Sequence, residues 1–95
     1  MILLGKKLLY DFKQTHADAR SQIESWEAEV EGIQWCNPHD LKCRYPKASL
    51  VKDQHVYFDF CWNKYRLLVQ VNYKNGIVLV KKIGTHKEYD NWHIA

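Results

Sequence analysis

The chain has 95 residues, 46% hydrophobic and 26% charged, with a net charge of +3. That length supports one domain over residues 1–95 with a single modest core, and the composition is that of a folding chain, which excludes a disordered tail or an array of modules. The charge is uneven: residues 1 to 34 carry four Lys/Arg against six Asp/Glu, residues 35 to 95 ten against five, so a polyanionic partner would meet the second part of the chain.

The opening "MILLG" reads as a short strand ended by Gly5, followed by a helix with Leu8, Leu9 and Phe12 on one side that stops near "THAD". "MILLGKK" lacks the basic start and the length of a signal peptide, and no run of eighteen apolar residues exists, so a soluble cytoplasmic chain without membrane contact is expected. From Asp18, expected as an N-cap, apolar residues recur at Ala19, Ile23, Trp26, Val30 and Ile33. This is an amphipathic helix, with Glu24, Glu27, Glu29 and Glu31 on a solvated outer side.

Asn37 and Pro38 have the residue types of an N-cap and first helical position, so one or two turns are expected before Pro46, then a basic connection from Lys47 to Lys52. Cys36, Cys43 and Cys61 are an odd count, a poor disulfide framework and the pattern of reduced thiols. The spacing of Cys36, His39 and Cys43 matches no common zinc pattern, so no metal and no other cofactor is expected.

The period then changes to two. "HVYFDFCWNKYRLLVQVNYKNGIVLVKKIG" contains three strand-like runs separated by Asn63-Lys64 and Asn75-Gly76, the second a strong two-residue hairpin signal. Counting outward from that turn pairs Gln70 with Lys81, Leu68 with Ile83 and Arg66 with Thr85; counting from the first pairs Cys61 with Arg66 and Asp59 with Leu68. One face then holds Val56, Phe58, Phe60, Leu67, Val69, Val71, Val78 and Val80, the core side. The other holds Tyr57, Asp59, Cys61, Arg66, Leu68, Gln70, Leu79, Lys81 and Ile83, a mixed surface with Arg66 and Lys81 close together. Lys82 falls on the core side of this register, so it must reach out along the sheet edge or mark a register error.

In "GTHKEYD", Thr85 and Glu88 form a T-x-x-E capping box, so a short helix begins at His86 and projects His86 and Tyr89 toward one side, beside the cations. An imidazole, a phenol, a guanidinium and an ammonium together suffice to cut RNA without a metal. A base takes the ribose 2′-OH proton, cations hold the phosphate as charge builds, and an acid assists the leaving 5′ oxygen. The same residues are also common without any chemistry: a histidine near a strand end is usually a solvated surface group, and a tyrosine at a helix start usually packs. Among the other basic residues, Lys47 and Lys52 are assigned to RNA backbone contact because they lead into the first long strand, with Lys87 beside His86, and Tyr57 to base contact on the open face.

"NKYRLLVQVNY" followed by "GIVLVKKIGTHKEYD", with Trp26-Glu27 and "NPHDLKCRYPKAS" in order before them, resembles the HigB toxin family, relatives of the RelE group of mRNA endonucleases. The resemblance covers nearly the whole chain. It implies an α+β RelE-like fold, with an N-terminal strand and two helices packed on a twisted antiparallel sheet and a short C-terminal helix. It implies a toxin neutralised by a HigA-type antitoxin, cleaving mRNA in the ribosomal A site. It also implies roles: Arg66 and Lys81 as phosphate-stabilising cations, His86 as general base or acid, Tyr89 as a stacking or donor residue. Two other readings stay open: a non-catalytic RNA-binding module, and a protein-binding domain using the aromatic residues with Leu68, Leu79 and Ile83.

Overall fold

A computed structural model describes residues 1–62, 64–90 and 92. The fold is α+β: a five-stranded mixed sheet in the order β1-β5-β4-β3-β2, with helices α1, α2 and α3 preceding most of the strands and a one-turn α4 following them. Strand β1 (Ile2–Leu4) lies parallel to β5 (Ile77–Thr85), whereas β2 (Ser49–Leu50) pairs antiparallel with β3 (His55–Phe60), β3 with β4 (Tyr65–Asn72), and β4 with β5. The small strand β2 forms inside the segment expected to be a plain basic connection.

Gly5 turns β1 into α1 (Lys6–Thr15) at φ 82°. A Cβ there would stand 2.8 Å from the Val80 carbonyl oxygen, so both the dihedral and the close approach require glycine. Helix α1 buries Leu9 and Phe12, while Leu8, expected beside them, is exposed.

Helix α2 (Arg20–Gly32) buries Ile23, Trp26 and Val30 at the expected spacing. Asp18 is not its N-cap. It sits in a 3-10 turn, and its carboxylate accepts hydrogen bonds from Lys64 Nζ (2.8 Å) and Tyr65 Oη (2.8 Å), tying the helix start to the β3–β4 hairpin. Those two partners hold Asp18 below the usual carboxylate range.

The acidic side of α2 is not a free solvated face either. Glu24 and Glu27 take Lys13, whose stem is buried; Glu29 takes Arg44 and Tyr45; Glu31 takes Lys6. Helix α3 (Pro38–Arg44) starts as expected, with the Asn37 side chain accepting from Asp40 N at 2.9 Å.

All eight residues expected on the core side of the sheet belong to the core, with Leu9, Phe12, Ile23, Trp26, Val30, Trp35 and Leu41 packed from the helices. The exact pairing differs, because both hairpins turn through four residues instead of two. Asp59, not Cys61, faces Arg66, and Leu79, not Lys81, faces Gln70. In the first loop Cys61 and Trp62 both adopt left-handed dihedrals, and Lys64 N donates to Cys61 O. In the second, the Asn72 side chain accepts from Asn75 N and Gly76 N donates to Asn72 O, which winds residues 73–76 into a wider turn. A slip of two keeps every side chain on its expected face.

A β-bulge then breaks that parity. Between Leu68 and Val69 the register shifts, so Val80 faces Val69 but Lys82 faces Leu68 and Ile83 faces Leu67. Lys81 is the extra residue and is exposed. The expected side assignments of Lys82 and Ile83 are therefore reversed: Lys82 emerges with Arg66, and Ile83 packs against the core.

Candidate RNA-cleaving site

The face of the sheet turned away from the core carries Ile2 and Leu4 on β1, Ile77, Leu79 and Lys82 on β5, Arg66, Leu68 and Gln70 on β4, and His55, Tyr57 and Asp59 on β3. Helix α4 (His86–Tyr89) crosses one end of it, touching β4 and β5. Its start is fixed by the expected capping box, Glu88 N donating to Thr85 Oγ1 at 3.2 Å and Thr85 N to Glu88 Oε1 at 3.0 Å. A single turn has almost no macrodipole, so the electrostatics here come from side chains rather than from the helix end.

Tyr89 is the hub. The Arg66 guanidinium carbon lies 4.8 Å from its ring centroid, the His86 ring 5.6 Å and the Tyr57 ring 5.0 Å. Trp92 extends the group, stacked on Tyr57 at 6.3 Å and edge-on to Tyr89 at 5.7 Å, with Lys82 Nζ 5.8 Å from its centroid. The result is an aromatic wall of Tyr57, Tyr89 and Trp92 with a guanidinium and an ammonium on its faces and an imidazole at its rim. Burial, and then the neighbouring Tyr89, raise the Tyr57 pKa, which keeps its phenol protonated.

Arg66 also donates from Nη1 to Asp59, directly across the strand pair. Its side chain is only 16% exposed, and Nε has no hydrogen-bond partner among the described residues. The carboxylate thus orients the guanidinium and leaves donors uncommitted. His86 Nε2 lies 3.7 Å from Asp90 Oδ1, one turn on.

Of the residues singled out from sequence, Arg66, Tyr57, His86 and Tyr89 converge. Lys81 stands at the bulge one residue before Lys82. Lys87 is exposed on α4, and Lys47 is exposed at a recess of about 340 Å³ shared with Gln22, Asp59, Cys61 and Trp62. Lys52 lies beyond His55, at the opposite end of β3 from Asp59, and is not brought to the group. Sequence reasoning passed over Asp59, Lys82 and Trp92 as site residues. Lys82 did carry a signal, a charged residue assigned to a core face. Trp92 had none beyond lying three residues after Tyr89.

The HigB_toxin family, described as the RelE-like toxic component of a toxin-antitoxin system, matches residues 19–92. The mRNA interferase toxin HigB of Escherichia coli strain K12 is 24% identical over 92 residues, covering 95% of this chain and 88% of its own length. The mRNA interferase HigB proteins of Escherichia coli O157:H7 and Shigella flexneri match to the same extent.

Proposed function

The chain belongs to the HigB toxin family, and from that premise we propose that it is an mRNA interferase, an endoribonuclease that cuts messages in the A site of the translating ribosome and so stops translation. Its partner is a HigA-type antitoxin. The observation that carries this reading is the convergence of Arg66, His86 and Tyr57 on Tyr89, with Lys82 on the adjoining Trp92.

The reaction needs only side chains. The ribose 2′ oxygen attacks phosphorus, the bond from phosphorus to the 5′ oxygen breaks, and the products are a 2′,3′-cyclic phosphate and a 5′-OH. Arg66 and the lysine pair Lys81 and Lys82 hold the phosphate oxygens as charge accumulates. His86 moves a proton, either from the 2′-OH or to the leaving oxygen. Tyr89 donates toward the transition state or stacks a base, Trp92 offers a further ring to a base, and the buried Tyr57 holds both in place. Lys47, Lys52 and Lys87 supply backbone contacts along the approach.

The test is expression of wild type beside Arg66→Ala and His86→Ala, with primer extension on translated messages. Arg66→Ala should slow cleavage about a hundredfold, roughly 3 kcal/mol. Equal toxicity of both variants and wild type would remove the site assignment. Cleavage that survives chelator but requires ribosomes supports the finer reading, whereas binding without cut ends points to a non-catalytic RNA-binding module.

A further inference from the structure

The other end of the same open face is aliphatic. Parallel pairing sets Ile2 against Ile77 and Leu4 against Leu79, and because Leu3 between them points into the core, all four side chains share the open side. Ile2 is 60% exposed and Leu4 46%; Ile77 and Leu79 are half-buried. They form a square, one strand spacing wide and one two-residue step long, about 5 by 7 Å. Beside it, Gln54, Gln70, Val71, Asn72, Ile77 and Leu79 line a recess of about 260 Å³.

Lysines flank this square. Lys81 and Lys82 follow Leu79 by two and three residues along β5, at one end, and Lys74 lies in the turn before Ile77, at the other. Lys6 and Lys7 begin α1, after Gly5 has turned the chain out of β1. Lys6 and Lys7 are engaged with Glu31 and Asp11, but Lys81 and Lys82 are exposed and have no carboxylate partner among the described residues.

We infer that this square is the docking site for an amphipathic helix of the antitoxin, its apolar side on Ile2, Leu4, Ile77 and Leu79 and its acidic residues over Lys81 and Lys82. The inference rests on the toxin–antitoxin reading of the chain. The dimensions suit a helix, whose residues three and four apart present side chains about 5–6 Å from one another. Aliphatic side chains offer an RNA backbone nothing to bind. A second copy of this chain would bring the same lysines to the same patch. Four side chains also fall well short of the roughly 800 Å² per partner of a stable interface, so the square must be one anchor of a partner that reaches further. Acidic groups seated on Lys81 and Lys82 would compete with the message for those cations, so the partner silences the enzyme without entering the aromatic group.

The experiment titrates purified toxin with the antitoxin of the same system, comparing wild type, Ile2→Glu, Leu4→Glu and the double variant, with Leu8→Glu as an exposed apolar control on α1. Thermal melting establishes that each variant is folded. Each square substitution should weaken binding at least tenfold and the double a hundredfold or more, with Leu8→Glu unchanged. In cells, the square variants should still arrest growth but escape rescue by the antitoxin. Hydrogen exchange on the wild-type complex reports independently of any substitution, and protection should appear at residues 2–4 and 77–79. Unchanged affinity in the folded square variants, or protection confined to the α2 helix, overturns the inference. If wild type cuts no RNA while the square variants still lose the antitoxin, the nuclease reading fails and the docking site stands.

Discussion

The two ends of the open sheet face are built by the same strands and differ in what lies above them. Leu68 and Leu79 both project to this side, in neighbouring rows of β4 and β5. Leu68 is fully buried, because α4 covers its end of the face, and Leu79 is not. One turn of helix, started by a capping box, lies over one half of a sheet face and leaves the other half open. Local sequence chemistry at Thr85 and Glu88 therefore decides which strand residues become interior.

The strongest way to break this comparison is to truncate each leucine. Leu68→Ala should cost roughly 3 kcal/mol by the cavity it leaves, and Leu79→Ala less than about 1 kcal/mol, both measured by urea unfolding. Equal losses would mean that α4 does not shield its end.

Next in size is Asp59→Ala. It strips the carboxylate from a mostly buried guanidinium and should cost about 2 kcal/mol in the same assay. Replacing both partners by leucine should recover part of that loss while abolishing cleavage.

Thr85→Ala removes the cap, worth about 1 kcal/mol, and should loosen His86, Tyr89 and Trp92 together. Cleavage should fall roughly fivefold with antitoxin affinity intact, a separation visible in paired activity and binding measurements.

The smallest effect is alkaline. The Tyr57 phenol keeps its proton to higher pH in the folded state than in the unfolded chain. Its contribution to stability is therefore complete below the ordinary tyrosine range near 10 and is lost as pH rises through and above it. Tyr57→Phe should flatten that part of the stability profile; a decline that persists unchanged would place its origin elsewhere.

Most of the fold was legible because period-two alternation survives a slip of two. The Val56, Phe58, Leu67 and Val78 sides came out correctly although both turns were two residues longer than expected. The bulge was not legible, since one unpaired residue reverses parity without changing the local pattern. Lys82 on a core side was its only trace. Asp18 has the residue type of a cap but is drawn off by Lys64 and Tyr65, which are distant in sequence, and propensity alone does not weigh such partners. The glutamates of α2 misled for the same reason. In the candidate site, the capping box exposed His86 and Tyr89 because its chemistry is contained in four consecutive residues. The Asp59–Arg66 pair depended on a turn length that the sequence leaves open.

The parallel clasp between the first strand and the last has a consequence for synthesis. Residues 2–4 find their neighbours in residues 77–79, so this edge of the sheet cannot close until the chain between them has been made. Closing so long a loop is slow compared with forming hairpins. A fragment that stops before residue 77 therefore carries helices α1, α2 and α3 but leaves the first strand without its neighbour.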